Sequence, residues 1–253
     1  MPVAFGPSRP HPAGVFDDVL SLSVVYRSDR QAIASVLPEP FEPDADPLVH
    51  IYCQQCRGVN FLAGGSYNLV GVNVAAVFNG VEDQVRGQFA LVLWENAVAA
   101  IIRGRELLGI PKLFGDIPDP TMSDNKWHVQ LRENGRTLIQ MNLEESRELT
   151  PAEIESLHES QAHEGWFGWR YIPNINGIGA ALSQPQQIGI ENTYSRGWEC
   201  TGETAFSDVE WETNPTSADI LAGLRTLPLQ EFVGASRMQG SVTLTRAKHR
   251  VLQ

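Results

Sequence analysis

Apolar and polar positions along this chain follow a period of two more often than a period of 3.6. Val19–Tyr26 alternates in part and reads as a strand, as do Leu48–Cys56 and the β-branched run Tyr67–Phe78. Asn79-Gly80 marks a turn after that run. Gln88–Ile102 reads as one or two mostly buried strands around a polar Glu95-Asn96 turn. Trp127–Leu143 is a hairpin: two alternating runs flank Asn134-Gly135, the pair that supplies the positive φ angles of a two-residue turn. Further strands are expected at Phe167–Ile172, Gln187–Tyr194, Ala205–Trp211 and Ser241–His249.

Helix signals are fewer. Ser28 is placed to cap a short helix, with Gln31 at the capping-box position and Pro38 closing it. Thr150-Pro151-Ala152-Glu153 combines an N-cap threonine, a first-turn proline and a glutamate at the third position, and predicts a helix to about Ala162. Thr216–Leu224 is a further helix candidate. Many strands with few helices predict a β-rich α+β domain. Its expected form is a closed or strongly curved antiparallel sheet with a few short helices around a central cavity, since closure removes exposed edges. No linker or repeat interrupts the chain, so residues 1–253 are expected to form a single domain, with residues 1–14 a Pro-rich N-terminal arm.

The composition narrows the function. Of 253 residues, 42% are hydrophobic and 19% charged, which excludes a disordered chain. A net charge of −11 leaves no basic footprint for nucleic acid or an anionic membrane. The longest apolar stretch, Phe89–Ile102, is broken by Glu95 and Asn96 and is too short for a spanning helix. The first residues lack the apolar core of a signal peptide, and three cysteines do not make a disulfide framework, so a cytoplasmic protein is expected. The basic residues are 16 Arg and only three Lys: Lys112, Lys126 and Lys248.

Three motifs carry little chemistry. Cys53 and Cys56 have CxxC spacing, but on a strand residues three apart face opposite sides, so buried inert thiols are expected over a redox or metal pair; His50 and Cys200 are the available further ligands. His158 and His163 are five apart, hence on different faces of a helix, and do not form a zinc motif. Gly177 and Gly179 lack the third glycine, and the strand and acidic context, of a dinucleotide fingerprint.

Residues 104–115 read Gly-Arg-Glu-Leu-Leu-Gly-Ile-Pro-Lys-Leu-Phe-Gly. Arg105–Leu108 can form one helical turn, Gly109 can end it in a left-handed conformation, and Pro111 bars its continuation. Lys112 then leaves a rigid corner between Ile110 and Leu113. On these residues alone it is either a surface lysine with its stem laid over apolar neighbours or a functional amine.

The Gly104-Arg105-Glu106…Pro111-Lys112 pattern resembles the signature of the acetoacetate decarboxylase family. Val25-Tyr26-Arg27-Ser28-Asp29 with Leu37-Pro38-Glu39-Pro40, Phe78-Asn79-Gly80-Val81, Ile172-Pro173-Asn174, Leu227-Pro228 and Thr245-Arg246-Ala247 resemble further family segments in the same order, so the resemblance covers nearly the whole chain. It implies a lysine that forms a Schiff base with a ketone, the imine then serving as electron sink for loss of CO₂. It also implies no metal or other cofactor, a small keto acid or ketone as partner, and a homo-oligomer. The amine must be neutral to attack, and an unperturbed lysine, with a pKa of about 10.4, is neutral only about once in 2,500 molecules at pH 7. Burial can lower a lysine's pKa by about 3–5. Lys112 is therefore expected in an apolar cavity with a depressed pKa.

Arg105 and Glu106 match the motif. They either hold a carboxylate and handle protons, or brace the turn through a mutual salt bridge. The sequence departs from the family pattern where a second lysine is expected, which is Leu113. It departs again at Leu69 and Tyr52, where glutamates are expected, and at Val19, where an arginine is expected. Tyr52, Leu69 and Leu113 are accordingly candidate substrate-binding residues, Tyr52 with a phenol that can move a proton or serve as a wet strand tip. The leading reading is decarboxylation of a β-keto acid through Lys112. The alternatives are aldol or dehydration chemistry on a keto acid such as pyruvate by the same lysine, or a non-catalytic small-molecule binding module.

Overall fold

The computed structural model describes residues 13–161 and 164–253. In chain order the regular elements are β1 (Ala13–Arg27), α1 (Arg30–Val36), β2 (Phe41–Pro43), β3 (Leu48–Val59), β4 (Gly65–Asn79), β5 (Gln84–Glu95), α2 (Val98–Arg103), β6 (Lys112–Phe114), β7 (Thr121–Ser123), β8 (Lys126–Glu133), β9 (Arg136–Glu148), α3 (Pro151–Gln161), β10 (Gly165–Pro173), β11 (Ala180–Ile188), β12 (Ile190–Phe206), α4 (Ala218–Arg225), β13 (Glu231–Thr245) and β14 (Arg250–Val251). The Pro-rich arm lies almost wholly outside the described residues, as does His163 of the His158/His163 pair.

All the strands belong to one sheet, paired in the order β14-β11-β10-β5-β4-β3-β1-β13-β12-β9-β8-β7, with β2 added to β4 and β6 to β5. The β-rich α+β class is as expected, but the closed antiparallel form is not. The pairing path ends at β14 and β7 without joining them, and it is mixed: β10 and β6 both run parallel to β5. Edge pairing is limited instead by making the terminal strands two and three residues long.

Local signals placed several elements correctly. Asn134 (φ 50°) and Gly135 (φ 76°) turn β8 into β9. At α3, Glu153 Oε2 accepts the Thr150 N–H at 2.8 Å, completing the capping box. At α1 the cap is Asp29, not Ser28: Asp29 Oδ1 accepts the Ala32 N–H at 2.9 Å. The run expected at Gln187–Tyr194 divides at Gly189 between β11 and β12, and β12 stops at Phe206, short of the expected Trp211. The larger correction is α2. Residues 98–102 are apolar and partly β-branched, yet with Arg103 they form a helix, because a strand returning parallel to β5 needs a crossover.

The central strands are buried on both faces. β4 is continuously buried from Tyr67 to Ala76. Alternate residues feed two separate apolar clusters. Leu22, Val24, Ile51, Cys53, Val70, Val72 and Trp94 belong to one. Val19, Cys56, Tyr67, Leu69 and Leu93 belong to the other, which carries the cavity described next.

Candidate active site

The site is built at the C-terminal end of β5. Asn96 follows the strand and ties it to β4: its Oδ1 accepts the Asn68 N–H at 2.8 Å, and its own N–H donates to Asn68 O at 3.2 Å. Helix α2 then leads into a wide turn over Gly104–Leu108, closed by the Gly109 N–H donating to Gly104 O. Gly109 has φ 65°, the left-handed conformation expected from the sequence. Trp169 N–H donates to Gly109 O at 2.8 Å and Arg170 Nε to Glu106 O at 2.9 Å, so β10 anchors the corner. β6 emerges from this corner with Lys112 level with Leu93 of β5.

Lys112 is 7% exposed. Its stem crosses Gly104 so closely that a Cβ built there would lie 2.3 Å from Lys112 Cε. The glycine of the Gly-Arg-Glu motif therefore leaves the space that the lysine stem occupies, as the floor under it. The amine, Nζ, donates to Glu95 Oε1 at 2.6 Å and to Ala100 O at 3.4 Å. Glu95 is fully buried, and its second oxygen, Oε2, has no hydrogen-bond partner among the described residues. Burial pushes the Glu95 carboxyl above its ordinary pKa, against the pull of the Lys112 ammonium.

The pair stands in the wall of a cavity of about 300 Å³, within the range of small-molecule sites. Inward-facing residues of β1, β3, β4, β5, β12 and β13 line it, and α3 contributes Leu157 and Gln161. Val19, Leu69, Leu93 and Ile110 form apolar wall near the amine; His50, Asn73, Gln88 and Asn192 provide neutral polar groups farther along the strands. His50 is neutral at pH 7, its pKa pulled down to about 4 by burial. Among the described residues no arginine lines the cavity.

The candidates named from sequence separate into two sets. Lys112, Tyr52 and Leu69 share the cavity, together with Val19. The Tyr52 hydroxyl lies 3.4 Å from the Asn73 side-chain amide, and its ring lies over Gly71, where an added Cβ would come within 2.5 Å of Tyr52 Cζ. Arg105, Glu106 and Leu113 do not line the cavity. Arg105 is exposed and its Nη1 donates to Lys112 O at 2.9 Å, bracing the corner from outside. Leu113 packs against the opposite cluster, because neighbouring residues on a strand face opposite sides. The expectation of an apolar setting for the amine is also corrected. Glu95, read from sequence as part of a turn, is the carboxylate facing Lys112. The available signal was its register two residues beyond Leu93 at the end of a buried strand, which aims it at the same face. Lys126 and Lys248 are exposed and paired with Glu144 and Glu191.

The thiols point apart as strand geometry requires: Cys53 lies in one apolar cluster and Cys56 in the other. All three cysteines are free and buried, and burial pushes Cys53 up to about 12 and Cys200 up to about 11, with Cys56 raised as well. Native protein is therefore expected to release no colour with a thiol-reactive disulfide reagent at pH 8, and three equivalents after unfolding in guanidinium. Rapid labelling of any one thiol in the native state would contradict the burial. Among the described residues, no group of three or more His, Cys, Asp and Glu is arranged to hold a metal, and no helix is long and apolar enough to cross a membrane.

Comparison with known proteins gives a consistent result. A family model described as acetoacetate decarboxylase matches residues 1–252. The acetoacetate decarboxylase of Clostridium botulinum is 30% identical over 247 residues, covering 94% of this chain and 87% of the relative. A solved acetoacetate decarboxylase structure superposes with a TM-score of 0.79 at 22% identity, covering 99% of this chain and 93% of its own. The enduracididine biosynthesis enzyme MppR, solved in complex with pyruvate, shares the fold with a TM-score of 0.71 at 16% identity, covering 99% and 95% of the two chains.

Proposed function

This chain belongs to the acetoacetate decarboxylase family, and we propose that it is a carbon–carbon lyase that decarboxylates a β-keto acid through an imine on Lys112. The Lys112 amine attacks the keto carbon and loses water to give a protonated imine. The bond to the carboxylate, β to the imine nitrogen, then breaks; CO₂ leaves and its electron pair flows into the iminium to form an enamine. Protonation of the enamine carbon and hydrolysis return the free lysine. The imine itself is the electron sink, so the reaction needs no added redox group.

The observation that carries this reading is the placement of one amine, buried and fixed over Gly104, in the wall of a cavity sized for a small molecule. A recessed amine, only 7% exposed, holds the imine away from bulk water before the carbon–carbon bond breaks. Aldol or dehydration chemistry on a keto acid is the second reading. Leu69, Tyr52 and Val19 line the cavity and no arginine does so among the described residues, so in either reading the substrate carboxylate is met by neutral polar groups rather than by a fixed arginine charge.

The test is reductive trapping. Incubation with a panel of β-keto acids and with pyruvate plus aldehydes, followed by borohydride and peptide mass spectrometry, is expected to place an adduct on Lys112. An adduct with CO₂ release identifies a decarboxylase; an adduct with carbon–carbon bond formation and no CO₂ identifies the aldol reading. No adduct with any carbonyl compound, together with undiminished ligand binding in Lys112→Ala, leaves a binding module and overturns both.

A further inference from the structure

Lys112 and Glu95 form a sealed pair, and the pair solves a problem the lysine has alone. A charged ammonium cannot attack a carbonyl, and removing it from water disfavours the charged form only if nothing opposes that change. Here a carboxylate opposes it at 2.6 Å. The same carboxylate is also buried, and of its two oxygens Oε1 meets the amine while Oε2 has no hydrogen-bond partner among the described residues. A buried ionised carboxylate ordinarily has both oxygens occupied by donors. An unpartnered oxygen on a residue that lines the cavity is a place for a proton or for the hydroxyl of a reaction intermediate.

We propose that Glu95 is the catalytic acid–base of Lys112, an inference that rests on the imine reading above and adds the group that makes imine formation possible. The pair passes one proton from Nζ to the carboxylate, leaving a neutral amine beside a neutral carboxylic acid. The amine nitrogen forms a bond to the keto carbon. The carbonyl π pair moves to oxygen, which takes the proton from the Glu95 carboxylic acid. The nitrogen, now carrying two hydrogens and a positive charge, returns one proton to Glu95 to give the neutral carbinolamine. Glu95 donates that proton to the carbinolamine hydroxyl, the C–O bond breaks, and water leaves. Three hydrogens of the ammonium end as one on the iminium and two on water, and Glu95 ends as a carboxylate paired with the iminium.

The surroundings isolate this exchange. Among the described residues, the other ionisable groups facing Glu95 are Cys56 and Tyr52 on β3 and Tyr67 on β4, all driven by burial to titrate above their ordinary range; Arg103, Arg246 and His249 line a second, smaller cavity against Lys112. His50, farther along the cavity, is neutral above pH 5, and Glu164 is solvent-exposed. Among the described residues, the groups facing Glu95 therefore stay protonated near neutrality and leave the proton to be exchanged between the pair and the substrate. The expectation from sequence, that desolvation alone activates the lysine, is replaced by proton transfer inside the pair.

The experiment measures the rate of borohydride-trapped adduct formation on Lys112, from pH 5 to 10, in the wild type, Glu95→Gln and Glu95→Asp. Glutamine keeps the shape and an oxygen for the amine but cannot accept or return a proton. Loss of a general acid–base group is worth roughly 10²–10⁴-fold, so trapping in Glu95→Gln at pH 7 is expected to slow by that factor. Its rate is expected to climb about tenfold per pH unit into the alkaline range, because hydroxide alone removes the proton, whereas the wild type keeps its rate near neutrality. Glu95→Asp, with the carboxyl drawn back by one methylene, is expected to be slower than the wild type and to keep the wild-type profile. Circular dichroism reads folding; if Glu95→Gln does not fold, the aspartate variant carries the test. Wild-type trapping rates and an unchanged pH profile in a folded variant overturn the role of Glu95. Absence of any adduct in the wild type overturns the lysine reading itself, and Glu95 with it.

Discussion

Replacing Lys112 with methionine is expected to abolish adduct formation and to lower turnover by a factor on the order of 10⁵ or more, the scale seen when a covalent nucleophile is removed. Methionine is chosen because it fills the channel over Gly104 with a stem of similar length and leaves the cavity walls in place. Assay of CO₂ release with the trapped substrate measures the loss. With only three lysines in the chain, and the other two exposed and distant in sequence, residual labelling is easily assigned. Retention of more than a few percent of the activity would remove Lys112 from the chemistry.

The same variant makes a second prediction, about stability. Without the ammonium, both influences that lower the Glu95 pKa vanish and desolvation alone remains. The folded-state pKa of Glu95 then lies farther above its unfolded value of about 4.3. A carboxyl with a raised folded pKa binds its proton more tightly in the native state. Its contribution is intact below about pH 4.3 and is lost as the pH rises toward the folded-state pKa. Stability therefore falls by up to about 1.4 kcal/mol per pH unit across that window. Urea midpoints are expected to drop between pH 5 and pH 8 by more in Lys112→Met than in the wild type. An equal drop in both would mean that Glu95 is not a desolvated acid.

Gly104→Ala is expected to separate activity from stability. Gly104 itself has ordinary right-handed helical angles (φ −67°, ψ −41°), so alanine fits the backbone and favours the helical turn by up to about 1 kcal/mol. Its methyl group does not fit the space, coming within 2.3 Å of Lys112 Cε, 2.5 Å of Cδ and 2.7 Å of Nζ. The flexible lysine stem yields, and the amine moves off Glu95. A displacement of about 1 Å at a reacting group costs roughly 10²-fold, so both kcat and the trapping rate are expected to fall by at least that factor. The helical gain offsets part of the cost of parting the buried pair, so the melting temperature is expected to fall far less than in Lys112→Met. Full activity in Gly104→Ala would show that the amine has room the structure does not give it.

Much of this site was legible in the sequence because it is encoded locally. Gly109, Pro111 and the residues between them define a rigid corner whatever the rest of the chain does, and Lys112 follows from that corner. The Asn134-Gly135 turn and the Thr150–Glu153 capping box are readable for the same reason: each satisfies its own backbone within four residues. Alternation also announced that Cys53 and Cys56 diverge. Where the reading failed, the missing information was pairing. Val98–Ile102 looks like a strand by composition, and only the parallel return of β6 to β5 makes it a helix. Arg105 and Glu106 carry the motif, yet they lie outside the cavity, because the turn that presents Lys112 inward sends its neighbours elsewhere.

Glu95 marks the boundary most clearly. Along the chain it is a polar residue ending an apolar run, followed by asparagine, which is how a turn begins. Its partner lies 17 residues later, beyond a helix, a wide turn and a proline. By itself the sequence determined a β-rich chain and the corner that carries Lys112, since each depends on backbone preferences acting over a few residues; that the lysine is a functional amine came from the resemblance to a family. The tertiary structure alone decided that the sheet stays open, that β6 joins β5 in parallel register, and that Lys112 meets a carboxylate rather than bare hydrocarbon. Those outcomes depend on which strands pair and in which register, and a residue's facing partner exists only once that register is set.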